Sequence, residues 1–493
     1  MDKRLHIEEE AARCLLCADA PCSQVCTKGD PARAIRAIRF GNEQLAYKWV
    51  TACTEEDLEA AESACIHYDR PLRIKELLRS VTSKDVTDDK ALPSLEIDFC
   101  GIHCENPFFL ASSAVCTNYE MVARAFDAGW AGVFYKTICM QEIREVSPRF
   151  DACQQEGTAD FYAFRNMEQL SENPVEMDFD ILHQLKQNYP SKVVVASIMG
   201  QTEEQWIELA KMAEAAGCDA VELNFSCPQM RLTGMGSDVG QNPELVTFYT
   251  AYVKRSVKIP VIPKMTPNIT HIAEPAMAVF FAGADAVSAI NTIKSVTMGK
   301  RAEVSSRKTV SGLSGRAVKP IALRHILEMA QSPMINGSHG HKLDISGIGG
   351  IETWKDALEF IQLGCSNVQV CTAVMQYGYR IIDDLILGLQ NYMAERGVSS
   401  LMTLVGEELP NFVTPTDLDR ETIVYPKFDR EKCIGCGRCY TSCMDGGHQA
   451  IAFDSENRQP RLIGTKCVGC HLCRLVCPTG AIGITKRITK KEK

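Results

Sequence analysis

The sequence predicts an α/β protein: a (β/α)8 barrel in the middle of the chain, between a small helical segment and a second small module, both rich in cysteine. Three observations carry this reading. From about Leu92 to Gly397, short β-branched or apolar runs alternate with amphipathic helical stretches. Closely spaced cysteines stand near each end. The chain has 493 residues, too many for one compact core, so two or three domains are expected. We place them at 1–85, 92–415 and 420–493.

Composition narrows the function. With 45% hydrophobic and 23% charged residues the chain is globular, and a net charge of -9 argues against nucleic acid or an anionic membrane as partner. The opening residues Met1 to Glu10 lack an apolar leader core, and the densest apolar run, Ala276 to Ala282, is too short to span a bilayer, so a cytoplasmic protein is expected. In such a chain 23 cysteines point to metal ligation in place of disulfides.

The N-terminal segment carries Cys14-x2-Cys17-x4-Cys22-x3-Cys26, then isolated Cys53 and Cys65. Four local thiols could hold one iron–sulfur cluster or a zinc ion. Helical stretches over Pro31 to Phe40 and Pro71 to Leu78 suit a small all-α cluster domain.

In the middle, strand candidates run over Phe108–Ser112, Gly132–Thr137, Lys192–Ile198, Ala220–Ser226, Val261–Met265, Ala286–Asn291, Leu343–Ser346 and Val368–Ala373. Helices over Glu203–Ala216, Pro243–Val257, Ile272–Ala282, Ile321–Gln331 and Thr353–Leu363 place apolar residues at i, i+3 and i+4. Eight such units make a closed parallel barrel, with its chemistry at the C-terminal ends of the strands.

The last module reads Cys433-x2-Cys436-x2-Cys439-x3-Cys443, then Cys467-x2-Cys470-x2-Cys473-x3-Cys477-Pro478. This is the bacterial ferredoxin run written twice. Three thiolates of each run wrap one [4Fe-4S] cluster and the fourth reaches the other. Cys433, Cys436, Cys439 and Cys477 therefore hold one cluster, and Cys467, Cys470, Cys473 and Cys443 its partner. A pair of zinc knuckles would leave the duplicated third cysteine and trailing proline without a use.

Polar residues mark the ends of the barrel strands: Lys136-Thr137, Asn224 to Pro228, Lys264 to Asn268, Asn291-Thr292, Gly347 to Gly350 and Cys371-Thr372. The loops after strands seven and eight, with Gly349-Gly350 and Cys371-Thr372, are where such barrels cradle a phosphate. Clusters pass single electrons and most metabolites react by two, so the barrel needs a converter. Flavin mononucleotide fits both that role and the phosphate site. Lys264 would place a cation beside the flavin ring. No dinucleotide fingerprint appears; Gly234 to Gly240 has the wrong spacing and does not open a strand–turn–helix unit.

Cys227 follows a strand and opens a Pro- and Gly-containing loop that can close over a substrate. A thiol with a pKa near about 8.5 is a credible general acid for a carbanion-like carbon. The cysteines at 100, 104, 116, 139, 153, 218 and 365 read instead as small buried hydrophobes.

Asn224-Phe-Ser-Cys227-Pro, Lys264-Met-Thr-Pro-Asn268, Asn291-Thr292 and Phe164-Arg-Asn166-Met-Glu168 closely resemble the pyrimidine-reducing half of the dihydropyrimidine dehydrogenase family. The resemblance runs from about Leu92 to the end of the chain. It implies reduction of uracil or thymine, with Cys227 protonating C5 while reduced FMN delivers hydride to C6. It also implies ring contacts from Asn166, Glu168, Asn224, Ser226, Asn291 and Thr292. The matching FMN contacts are Ala111, Ser112, Lys136, Thr137, Lys264, Gly349, Gly350, Cys371 and Thr372.

The N-terminal stretch Cys14 to Cys22 resembles the family's first cluster site, with Cys65 as fourth ligand, which leaves Cys26 and Cys53 unassigned. Full-length members carry FAD and NADPH domains where this chain has about thirty residues. A separate flavoprotein subunit or ferredoxin is therefore the expected electron donor, and a homodimer or larger oligomer the expected assembly. A dihydroorotate dehydrogenase, or a non-catalytic electron-transfer subunit, are the competing readings.

Overall fold

The computed structural model describes residues 7–81, 92–154, 161–228, 230, 235–297, 309–333, 335, 337 and 342–490. By internal packing the chain divides into two compact units, 1–409 and 410–493, with the N-terminal helices and the barrel together in the first.

Eight parallel strands close the barrel in chain order: β1 (Phe108–Leu110), β2 (Gly132–Phe134), β3 (Val193–Ile198), β4 (Ala220–Asn224), β5 (Val261–Lys264), β6 (Ala286–Ala289), β7 (Asp344–Ile348) and β8 (Asn367–Val370). Closure is made by β8 on β1, with Val370 opposite Leu110. All six residues of β3 and all five of β4 are buried, as strands covered on both faces must be. Six of the eight end earlier than the apolar runs suggest, because their polar last residues leave the ladder to form the rim of the barrel; β3 ends where expected and β7 runs two residues further, to Ile348.

The outer helices begin where the sequence supplies a cap. Asn118, Thr202 and Asn242 accept hydrogen bonds from backbone N–H groups of the first turns, and Thr353 with Asp356 makes a capping box.

Two features do not belong to the simple barrel. A hairpin, Ile97–Phe99 with Ile102–Cys104, sits at its N-terminal end, where Cys100 N donates to Asp344 Oδ2 at the start of β7 (2.8 Å). Segments that follow β2 and β6 form a four-stranded antiparallel sheet ordered Ile293–Ser295, Ser311–Ser314, Phe161–Asn166, Phe150–Gln154. Its register sets Gly312 opposite Asn166. Both cysteines expected to be buried but found only partly so lie in these additions: Cys100 in the hairpin turn and Cys153 on the sheet. Cys104, Cys116, Cys139, Cys218 and Cys365 are buried.

The N-terminal segment is helical over Ile7–Ala12, Pro21–Gln24, Pro31–Arg39, Glu43–Val50, Glu55–Ser63 and Ile74–Arg79. The last begins at Ile74, not at Pro71 as the sequence suggests. Ala34, Ile35, Ile38, Leu58 and Leu77 form its core. The segment is pinned to the barrel's last helix, Ile382–Arg396: Arg36 Nε donates to Asp384 Oδ2 at 2.6 Å, both side chains buried, and Asn42 Nδ2 donates to the Asp384 carbonyl at 2.8 Å.

The second unit has an internal pseudo-repeat. Strand pairs Pro426–Phe428 with Ile482–Ile484 and Ile451–Asp454 with Gln459–Leu462 frame two helices, Arg438–Gly446 carrying Cys439 and Cys443 and Leu472–Leu475 carrying Cys473. No helix among the described residues is long and apolar enough to cross a membrane.

Candidate active site and thiol clusters

The C-terminal rim of the barrel opens into a cavity holding about 810 Å³ of empty space, its mouth included. Ala111 and Ser112 after β1, Lys264 at the end of β5, Asn291 and Thr292 after β6, Gly349 and Gly350 after β7, and Cys371 and Thr372 after β8 all line it. Asn166 and Glu168 reach the same space from the antiparallel sheet, with Phe150 and Phe164 packed beside them, ring centroids 5.1 Å apart.

Lys136, Thr137, Asn224, Ser226 and Cys227 are not among the lining residues. The first four stand one contact behind them. Thr137 Oγ1 shares hydrogen bonds with Ser112 Oγ (3.0 Å) and Ser197 Oγ (2.9 Å), and accepts from Asn224 Nδ2 (3.0 Å). Ser226 Oγ donates to Asn224 Oδ1 (2.9 Å) and accepts from Asn291 Nδ2 (2.9 Å). Asn291 Oδ1 in turn accepts from Thr292 N (2.7 Å), and Asn268 Nδ2 holds the Thr292 carbonyl (3.2 Å). Each amide is thereby fixed in orientation by its neighbours.

Cys227 is 6% exposed, and its carbonyl accepts from Ser237 N at 3.0 Å. Of the loop it opens, Gln229 and residues 231–234 lie outside the described residues.

Two buried acid–cation pairs set the electrostatics. Lys136 is buried and meets Glu168 Oε2 at 2.9 Å, while Arg149 meets Glu168 Oε1 at 3.0 Å. Lys264 Nζ stands 3.6 Å from Glu222 Oε1, and Glu222 also accepts from Ser197 Oγ (2.8 Å) and Ser288 Oγ (2.7 Å).

Glu222, Ser197, Ser288 and Arg149 escaped the sequence reading. For Glu222 a signal existed: it lies two residues before Asn224 in β4, so the strand's period of two puts both on one face.

The cavity fits a flavin phosphate at one end. Gly349 has φ +130, and a Cβ there would lie 2.8 Å from Ala322 Cβ. Gly350 has φ +77, and a Cβ there would lie 2.8 Å from Lys319 Cβ and 2.9 Å from the Gly315 carbonyl oxygen. Only glycine keeps this turn open. Gln369, also on the wall, gives its Nε2 to Ser346 Oγ (2.8 Å) and keeps Oε1 buried with no partner among the described residues, an acceptor aimed at an N–H that a bound ring can supply.

The thiols gather in sets that follow spacing in the C-terminal module and, at the N-terminus, the family resemblance that brings in Cys65 in place of the local Cys26. Cys14, Cys17, Cys22 and Cys65 line one cavity. Cys443, Cys467, Cys470 and Cys473 line another. Cys439 feels the charges of Cys433, Cys436 and Cys477, which puts those four in one neighbourhood. Among the described residues no three His, Cys, Asp or Glu groups converge as a single ion requires. Thiols spaced round a cavity suit a multi-atom cluster and give the zinc alternative no support.

Comparison with known proteins agrees with this geometry. Residues 94–393 match the dihydroorotate dehydrogenase family model, and residues 427–484 match a 4Fe-4S dicluster domain. The NAD-dependent dihydropyrimidine dehydrogenase subunit PreA of Escherichia coli is 50% identical over 403 residues, covering 80% of this chain and 97% of the relative. The chloroplastic dihydropyrimidine dehydrogenase (NADP(+)) of Arabidopsis thaliana is 37% identical over 66% of this chain and 79% of its own length. The catalytic subunit of dihydroorotate dehydrogenase B (NAD(+)) from Pyrococcus abyssi is 37% identical over 63% of this chain and 98% of its own.

Proposed function

We propose, from the premise that this chain belongs to the dihydroorotate dehydrogenase family and resembles its dihydropyrimidine dehydrogenase members, that it reduces uracil or thymine to the 5,6-dihydropyrimidine. The chain is an oxidoreductase acting on CH–CH bonds, with FMN in the barrel and [4Fe-4S] clusters in the C-terminal module. The observation that carries the substrate reading is the interlocked set Asn224, Ser226, Asn291 and Thr292, with Asn166 and Glu168 brought to the same cavity by the antiparallel sheet.

Amide and hydroxyl groups are of the kind that suits the alternating donors and acceptors of a uracil edge. The Glu168 carboxylate, clasped by Lys136 and Arg149, accepts a ring N–H. Lys264 would set a positive charge beside a bound FMN, and Gly349 with Gly350 would leave room for its phosphate; the cofactor would supply the hydride for C6, its electrons coming from the clusters. Cys227 Sγ, itself buried, holds the proton destined for C5.

In this reading, as the family resemblance implies, the N-terminal set Cys14, Cys17, Cys22 and Cys65 holds a third cluster. The Escherichia coli relative is named as a subunit, which supports a separate NAD(P)H-linked flavoprotein or a ferredoxin as donor, and we expect at least a homodimer.

The deciding measurement uses anaerobically purified protein, supplied in parallel with uracil plus a low-potential chemical reductant and with dihydroorotate plus an electron acceptor. Dihydrouracil forms and orotate does not. Turnover of dihydroorotate alone would overturn the proposal.

A further inference from the structure

Two of the N-terminal cysteines belong to no cluster set. Cys26 and Cys53 do not line the cavity formed by Cys14, Cys17, Cys22 and Cys65, yet their sulfurs stand 3.4 Å apart across 27 residues of sequence. Both are partly buried, neither sealed in a core nor fully in water.

Their surroundings hold them face to face. Asp30 N donates to the Trp49 carbonyl at 3.0 Å, tying the chain after Cys26 to the helix before Cys53. Thr27 N and Oγ1 both bond Asp57 Oδ1 (3.1 and 3.0 Å), and Asp57 Oδ2 accepts from Thr54 N, the residue after Cys53 (2.9 Å). Asp57 is thus a clamp between the two cysteine segments. At Gly29 a Cβ would lie 2.3 Å from Cys53 Sγ, so the glycine leaves room for that sulfur. A disulfide needs the sulfurs at about 2.05 Å, a closure of little more than an ångström from the observed distance.

We propose that Cys26 and Cys53 form a reversible thiol–disulfide site, distinct from the cluster ligands, that is oxidised by low-molecular-weight disulfides. Cys26 is the attacking sulfur. Cys53 is the poorer nucleophile, because burial, the hydrogen bond with Cys26 and the nearby charges of Asp57 and Asp30 push its thiol up to about 12.

In the first step the Cys26 thiol gives up its proton and its sulfur attacks one sulfur of R–S–S–R. The S–S bond of the small molecule breaks, one R–S⁻ leaves and takes that proton, and Cys26 carries a mixed disulfide. In the second step Cys53 attacks Cys26 Sγ, the second R–S⁻ leaves and the Cys53 proton goes to it. The two protein thiols are oxidised by two electrons, one R–S–S–R is reduced to two R–SH, and no other reactant is needed.

The test uses the anaerobic holoprotein, oxidised glutathione, alkylation of remaining thiols, and digestion without reductant. Wild type should yield a Cys26–Cys53 linked peptide that disappears on treatment with dithiothreitol. In Cys53→Ser, Cys26 should stop at a glutathione adduct. Iron content per chain should be unchanged in Cys26→Ser and Cys53→Ser. Recovery of both cysteines in wild type as free alkylated thiols, or a persistent glutathione adduct on Cys26, would overturn the proposal. So would loss of iron from either variant, which would make the pair cluster ligands. The wild-type arm needs no substitution, so a variant that failed to fold would not shield the proposal.

Discussion

The two halves of the barrel rim are built by opposite means. On the side of β4, β5 and β6, side chains do the positioning: Asn224, Ser226 and Asn291 orient one another, and Asn268 holds the Thr292 carbonyl. On the side of β7 the decisive feature is the lack of side chains at Gly349 and Gly350, where a Cβ would collide with Ala322, Lys319 or the Gly315 carbonyl. A ring with a pattern of donors and acceptors is recognised by fixed polar atoms. A phosphate is recognised by backbone that can approach closely. The proposed function uses this contrast, with the substrate at one half and the cofactor's phosphate at the other.

The sharpest break between the halves should come from Cys227→Ala. Loss of the proton donor should lower pyrimidine reduction by about a hundredfold or more while flavin and iron contents stay at wild-type values. If turnover survives, the proton comes from elsewhere. On the glycine side, Gly350→Val fills the cradle at a backbone angle that valine strongly disfavours. Flavin released on denaturation should fall roughly tenfold or more, with the C-terminal clusters retained by iron analysis.

Asn291→Ala returns to the side-chain half and leaves Ser226 Oγ without its donor. A loss of roughly 1–3 kcal/mol, about tenfold to hundredfold in kcat/KM for uracil, is expected with normal flavin content. A comparable fall in flavin content would blur the division.

The smallest effect concerns His325, buried under the loop that follows β5 and bonded to the Pro267 backbone. Burial lowers its pKa to about 4, with Arg324 adding to the shift. The unfolded chain then binds the extra proton first. The contribution to stability is complete above the unfolded value of about 6.5 and is lost as pH falls towards about 4. Denaturant titration should show wild type losing on the order of 2 kcal/mol more than His325→Gln between about pH 7 and about pH 4.5.

The barrel was legible because each of its eight strands is a short apolar run followed by a helix, four of those helices opening on a capping Asn or Thr, a pattern local in sequence. The grouping of Cys443, Cys467, Cys470 and Cys473 round one cavity follows from two short runs of spacing, whereas Cys65 joins Cys14, Cys17 and Cys22 from more than forty residues away, where spacing gives no signal. What stayed hidden was non-local. The strand Phe161–Asn166 pairs with Ser311–Ser314 nearly 150 residues on, as in the Ser314 Oγ to Phe164 carbonyl contact at a separation of 150. Strands of three to six residues give no periodicity to read across that distance. Asn166 could therefore be matched by motif, but the sheet that delivers it to the cavity could not be foreseen. Glu222 was passed over for another reason: a single acid inside an apolar strand looks like noise until Lys264, Ser197 and Ser288 are seen around it.

The N-terminal thiol loop is finished by residues from the far end of the barrel. Arg380 donates to the carbonyls of Leu16 and, at 3.3 Å, Cys17, and Arg39, itself bonded to Tyr377 Oη at 3.3 Å, donates to that of Cys14 at 3.0 Å. During synthesis Cys14 and Cys17 emerge more than 360 residues before the guanidinium of Arg380 that shapes their loop. The loop that carries Cys14 and Cys17 thus reaches its final hydrogen bonding only once the chain through Arg380 has folded against it.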